Sequence, residues 1–381
     1  CGLGRVSYRI MTQLLETGYE VVVVEHDWNS EFVPDALKLR VPVVVGDFTD
    51  TDILLQAGLA RARGVIAGTS NDLLNIEVAL TARRQRENIQ VVMRIFNDDL
   101  DRNLEQSFGP NTAFSSSALG APTMAVAAVS CSIASVLPLE HTVLGIAEIT
   151  IAPDSQLASF GGAIEENYQV RFLQWLDPKG RWSWPEPGLR LSSGDVVLLL
   201  GSIENLERLA QDNQPGSQFA MLQPERPLRA APPINTVIVC GLGRVGYRVV
   251  RALIQREPRP EIVVICENAA SNLFVKHIQG EPDVHIISGD ARVAEVLQQA
   301  GIATAYSIAA VTSNNLTNIQ IGLEARRLRP DIDVVLRVFS AMLAEQLDTI
   351  FGMYTAFSTS ALAAPTLAAA AVEPGISYAL N

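Results

Sequence analysis

The chain has 381 residues, 48% of them hydrophobic and 18% charged, and a formal charge of −12 at neutral pH. That is ample apolar material for two or three cores, while the acidic balance argues against nucleic-acid binding, which calls for basic stripes. The four cysteines (Cys1, Cys131, Cys240, Cys266) are scattered without a CxxC spacing, which argues against a disulfide framework and against a zinc site.

The chain opens on CGLGRVSYRIM, a Gly turn that leads into a predicted helix over residues 5–16. YEVVVVE (residues 19–25) is a β-branched run after Gly18 and predicts a strand buried on both faces. VPVVVGD ends a third strand at Asp47, GVIAGT (64–69) is a fourth, and VVMRIF from Val91 is a fifth. Residues 72–86 have helical spacing, with Leu73, Ile76, Ala79 and Leu80 on one stripe. Residues 115–139 carry no charge. They are mostly small, with Pro122 inside, so they read as a helix packed closely on another helix and poorly as a membrane span. Residues 143–209 shift to shorter alternating runs and turns, the texture of a small β-rich module. Its Trp175, Trp182 and Trp184 are expected in core or turn packing rather than in a ligand cage. A stretch rich in Pro and polar residues, 211–233, reads as a linker.

After the linker the first third of the chain returns. Gly46 aligns with Gly289, and the offset of 243 then holds without a gap for over eighty residues. TSNDLLNIEVALTARR faces TSNNLTNIQIGLEARR, VVMRIF faces VVLRVF, and TAFSSSALGAPTMAVAAV faces TAFSTSALAAPTLAAAAV. A period of about 240 residues is a duplicated domain, too long for a solenoid repeat. Strand–helix alternation with buried strands predicts an α/β fold, a Rossmann-like doubly wound parallel sheet in each copy. The expected organisation is residues 1–139 for the first copy, 140–210 for the small module, 211–234 for the linker and 235–381 for the second copy. NTVIVCG precedes the second Gly turn, whereas nothing precedes Cys1, and no small module follows the second copy. The expectation is a fragment lacking a first strand at its start and shortened at its end.

Gly241, Gly243 and Gly246 form a full GxGxxG between a strand and a helix. The first glycine permits the tight turn, the second lets backbone approach a pyrophosphate, and the third lets helix and strand pack closely. A phosphate there meets free N–H groups and the positive end of the helix dipole. Glu267 ends the next strand, placed for ribose hydroxyls, and favours NAD or an adenosine nucleotide over NADP. The first copy has Gly2, Gly4 and Glu25, with Ser7 in place of the third glycine. Arg5 and Arg244 follow the second glycine and reach either phosphate or a surface carboxylate. Asp47 and Asp290 are candidates for the base or for a loop cap. Thr69 with Asn71, and Thr312 with Asn314, follow the fourth strand, where ligands gather, and can equally cap a helix. Arg94 and Arg337 lie within strands and need a carboxylate or a phosphate. Asp98, Asp99 and Asp101 could hold Ca²⁺ but read better as a solvated helix start.

Taken together, GLGRVGYRV, the acid ending the second strand, GD after the third, TSNNLTNIQIGLEARR and VVLRVF resemble the RCK family (regulator of K⁺ conductance), also called TrkA-N or KTN. LSSGDVVLLLGS (191–202) resembles the small RCK C-terminal subdomain. The resemblance implies a nonenzymatic regulatory module for potassium flux at the cytoplasmic face of the plasma membrane. It implies dimers assembled into a tetrameric or octameric ring, attached to a channel pore or a transporter membrane subunit. Its ligands would be NAD(H), ATP or ADP on the two Gly turns, with Glu25 and Glu267 at ribose and Asp47 and Asp290 at the base. Ca²⁺ is a family ligand with no support in these residues. The stretches after Ser115 and Ser358 correspond to the family's crossover helix, whose small side chains permit domain exchange. Two rivals remain: an NAD-dependent oxidoreductase, for which His26, His141, His277 and His285 offer no recognisable catalytic setting, and a scaffold with empty pockets.

Overall fold

The computed structural model describes the chain except residues 130–134, 139–142, 154, 156, 159–160, 177–179, 187, 214–235, 257–258, 340–342, 345, 348–355, 374–377 and 380–381, and the side chains of 98–102 and 161. The linker expected over 211–234 falls almost wholly on these residues, as do His141 and Cys131.

In the first copy the elements run α1 (Arg5–Glu16), β1 (Val23–Glu25), α2 (Val33–Lys38), β2 (Val43–Val45), α3 (Thr51–Gln56) and β3 (Gly64–Ala67). They continue with α4 (Asp72–Gln85), β4 (Gln90–Arg94), α5 (Asp98–Phe108), β5 (Ala113–Phe114) and α6 (Ser116–Ala127). The small module comprises β6 (Ser135–Pro138), β7 (Val143–Thr150), α7 (Gly161–Tyr168), β8 (Arg171–Leu176), β9 (Trp182–Ser183), β10 (Val196–Ser202) and α8 (Ile203–Asp212). The second copy has β11 (Thr236–Cys240), α9 (Arg244–Ile254), β12 (Glu261–Cys266), β13 (Val284–Ser288), α10 (Ala294–Gln299) and β14 (Ser307–Ala310). It ends with α11 (Asn315–Leu328), β15 (Asp333–Val338), β16 (Ala356–Ser358) and α12 (Thr359–Val372).

The second copy realises the expected sheet, in the order β13-β12-β11-β14-β15-β16. Its β13-β12-β11-β14-β15 pairings are parallel. β11, β12 and β14 are almost wholly buried, as strands covered on both faces must be. The first copy has the same parallel pairings in two separate sheets, β1-β2 and β3-β4-β5. Cys1 aligns with Cys240, so this sequence holds no counterpart of Thr236–Val239, the central strand of the second copy. A cavity of about 600 Å³ lies along that line, bordered by Val21, Val23, Val24, Val65 and Ile66. The strand predicted over 19–25 is correspondingly short: Val22 is 44% exposed, and pairing begins only at Val23.

The small module is an antiparallel sheet, β6-β7-β10-β8-β9, packed on α7 and α8 through Ile149, Tyr168, Leu199 and Leu206. Trp175 packs at its edge, while Trp182 and Trp184 are 40% and 74% exposed and so lie outside the core. They lie in and just after short β9, where the sheet ends.

The chain divides into two compact units, one of Cys1–Ala121, Arg337–Ala344 and Phe357–Asn381, the other of Pro122–Leu336 and Glu345–Ala356. The division cuts across the repeat. α12, a second-copy element, lies in the first unit, where Ala363, Leu367 and Ala370 share a core with Val6, Ile10 and Leu14 of α1 and Val92 of β4. Gln90 donates a hydrogen bond to the Ala370 carbonyl (3.1 Å). The approach needs small residues: a Cβ on Gly64 would lie 2.5 Å from the Ala371 carbonyl oxygen. In the second unit the buried Ser307 hydroxyl of β14 donates to the Ala128 carbonyl, just past α6. Among the described residues no helix is long and apolar enough to cross a membrane.

Candidate nucleotide sites at the two glycine turns

The second Gly turn lies between β11 and α9, and the first leads into α1. Gly2 and Gly241 have φ of +77° and +98°, a left-handed backbone that favours glycine. Their N–H groups bond to Val24 O (2.9 Å) and Ile265 O (2.8 Å), which pins both turns at the strand ends. Gly4 and Gly243 are the N-caps of α1 and α9, and neither cap residue supplies a side-chain bond to the helix start. A Cβ on either would meet nothing within 4 Å, so space lies open above the second glycine. An open approach to uncapped helix N–H groups suits a phosphate.

The third position differs between copies. A Cβ on Gly246 would come within 1.8 Å of the Gly241 carbonyl oxygen and 3.3 Å of Val311, so only glycine fits. In the first copy the position aligned with Val311 is Gly68, and the Ser7 side chain lies against it. Its hydroxyl donates to the Gly68 carbonyl (3.3 Å).

The strand-end acids differ too. Glu25 is 9% exposed and folds back on its own turn. One oxygen accepts from Leu3 N (2.5 Å) and the other from His26 N (2.9 Å) and Asp27 N (3.3 Å). Glu267 is exposed. Asp47 accepts from the Thr49 amide (2.9 Å) and hydroxyl (2.7 Å), which hold its carboxyl below the usual range. Asp290 is held down by a two-pronged pairing with Arg292 (2.7–3.1 Å). Burial pushes the Cys240 thiol up.

Beyond the fourth strands the side chains are turned to local structure. Asn71 and Asn314 cap α4 and α11 through Leu74 N (3.3 Å) and Thr317 N (3.0 Å). Thr69 and Thr312 donate to two residues that sequence reading missed, Asn75 and Asn318, each at 2.7 Å. Both asparagines are fully buried, and Asn75 also donates to the Arg94 carbonyl (2.7 Å). Their signal was a polar residue at the same register of both copies. On α4 the stripe of Leu73, Ile76, Ala79 and Leu80 is fully buried only at Ala79: Leu73 is 65% and Leu80 42% exposed, and the inward face is Asn75, Val78, Ala79 and Ala82.

The arginines separate. Arg244 is exposed at the start of α9. Arg94 bonds Ser116 Oγ (3.2 Å) and the Thr69 carbonyl (3.5 Å). Arg5 lies 4.4 Å from the centre of the Phe339 ring, and Arg337 lies 5.0 Å from the same ring. Arg337, Phe339, Arg5 and Arg94 all fall in the first unit. Elsewhere, His285 faces Glu261 (3.3 Å) and His277 leans on Tyr247 (6.0 Å). Among the described residues no group of three or more His, Cys, Asp or Glu comes together as a metal site, and the side chains of Asp98, Asp99 and Asp101 lie outside them.

A family profile for the TrkA-N domain matches residues 1–116 and again 237–359, the two copies. The chain belongs to the TrkA-N domain family. This TrkA-N chain is 25% identical over 228 residues to a probable potassium channel protein 2 of Methanocaldococcus jannaschii, covering 55% of this chain and 64% of that relative. It shares its fold with the GsuK channel bound to NAD (TM-score 0.65, 22% identity, 97% of this chain and 62% of that one). GsuK bound to ADP also matches (TM-score 0.57, 18% identity, 97% and 67%). This chain thus spans somewhat less than two thirds of the curated channel and of the NAD-bound structure.

Proposed function

We propose that this chain is a ligand-sensing module of a potassium-transport system, and that it binds an adenine nucleotide or dinucleotide at its Gly turns. The observation that carries this reading is the doubled turn: an open second glycine at an uncapped helix start, with a carboxylate at the end of the next strand, in both copies. In the second crevice Gly241–Gly246 would receive the phosphates and the exposed Glu267 the ribose hydroxyls. In the first, Gly2 and Gly4 play the same part, with Ser7 and Gly68 sharing the space of the third glycine. The printed descriptions of a probable potassium channel among the relatives, and of GsuK solved with NAD and with ADP, support the same reading. The role is regulatory, exerted from the inner face of the membrane on a pore or transporter subunit through a ring of copies. A nucleotide acts on such a ring only by its difference in affinity between two shapes, about 1–3 kcal/mol per coupled site.

Mass spectrometry of small molecules released from the purified chain tests the reading directly. NAD, ATP or ADP is expected, and calorimetry should then show Glu267→Lys weakening binding at the second copy by about tenfold or more, as loss of a charge-assisted hydrogen bond predicts. Unchanged affinity would remove Glu267 from the site. Turnover of generic 2-hydroxy acids with NAD would favour an oxidoreductase instead.

A further inference from the structure

The residue between the first two glycines of each turn is held from a different side in each copy. In the first copy Glu25 holds it: one carboxylate oxygen accepts from Leu3 N (2.5 Å), and the other from His26 N (2.9 Å) and Asp27 N (3.3 Å). Three N–H groups take up most of the about four acceptor positions that a carboxylate offers. The side chain is 9% exposed, so little of it is left for a ligand to reach. In the second copy the holder is Asn272, five residues beyond the strand-end acid. Its amide nitrogen donates to the Leu242 carbonyl (2.9 Å), and its oxygen accepts from Phe274 N (2.9 Å), which fixes the orientation of the amide. That turn is held through its carbonyl, and its strand-end acid, Glu267, stays exposed.

We propose that the first crevice does not read the sugar: Glu25 positions the turn, and the site takes adenine nucleotides with or without ribose hydroxyls, whereas the second crevice selects ribose through Glu267. The inference rests on the nucleotide-sensing reading above, and it departs from the family pattern, in which both acids would meet ribose. A hydroxyl donating to Glu25 would compete with the amides already there. Leu3 is buried, so a released Leu3 N–H would have no water to bond in exchange. Glu267 carries no such duty. An exposed carboxylate that accepts from hydroxyls discriminates against an analogue that lacks them.

The test is calorimetry on the full 381-residue chain with one crevice closed at a time, titrated with ADP and with 2′,3′-dideoxy-ADP. Gly4→Asp closes the first and Gly243→Asp the second. A Cβ at either position meets nothing within 4 Å, and the backbone there is extended, with φ of −81° and −87°. Aspartate is a favoured N-cap, and its charge takes the phosphate's place. With Gly243→Asp, the two ligands should bind within about twofold of each other; with Gly4→Asp, the dideoxy analogue should bind at least about tenfold more weakly. In the Gly243→Asp chain Glu25→Ala should weaken both ligands by the same factor. In the Gly4→Asp chain Glu267→Ala should weaken ADP alone. The comparison of ligands in the Gly243→Asp chain decides the matter even where Glu25→Ala fails to fold. A preference of about tenfold for ADP in the first crevice, no preference in the second, or no binding with Gly243→Asp overturns this inference alone. Neither ADP nor NAD bound by the unsubstituted chain overturns the sensor reading with it.

Discussion

At the scale of residues, the two copies solve one packing problem in two ways. Gly246 faces its own turn's carbonyl with Val311 alongside, whereas Ser7 faces Gly68. A Cβ on Gly68 would lie 2.2 Å from Ser7 Oγ, so Gly68→Val should destabilise the first copy by about 1–3 kcal/mol, the cost of overpacking. Ser7→Gly in the same chain should recover most of that loss. A denaturant double-mutant cycle measures the coupling, and additive effects would contradict it. The departure at Ser7 was plain in the sequence. Its compensation was not, because Gly68 is remote in the chain and only the folded strand end brings the two together.

At the scale of elements, α4 and α11 show where periodicity runs out. Apolar residues lie nearly all round both helices, so a stripe through Leu73, Ile76 and Leu80 was as well formed as the one that is buried. What decides is the buried asparagine, which ties the helix start to the strand end through Thr69 or Thr312. Asn75→Ala and Asn318→Ala remove the bonds from the Thr69 and Thr312 amides and hydroxyls and should each cost about 1–3 kcal/mol, read as lowered unfolding midpoints. Leucine at either position should be worse than alanine, since it adds bulk without a partner. The strands were legible for the opposite reason: β11, β12 and β14 are short apolar β-branched runs bounded by turns, with one reading.

At the scale of the whole chain, the repeat was readable from aligned residues, and small-residue helices announced a close contact. Which body received each helix was not readable, because α6 and α12 are apolar on every side. α12 lies on α1, and Leu367 is fully buried there. Leu367→Ala should cost about 2–5 kcal/mol. Hydrogen exchange should locate the loss in α1 of the first copy, more than three hundred residues earlier in sequence. Unchanged protection of α1 would contradict the crossing. The arrangement also sets a timetable. A ribosome emits Val6, Ile10 and Leu14 more than three hundred residues before the helix that covers them. For that interval the nascent first copy carries an uncovered apolar face, which is the hazard that late, long-range closure imposes on a growing polypeptide.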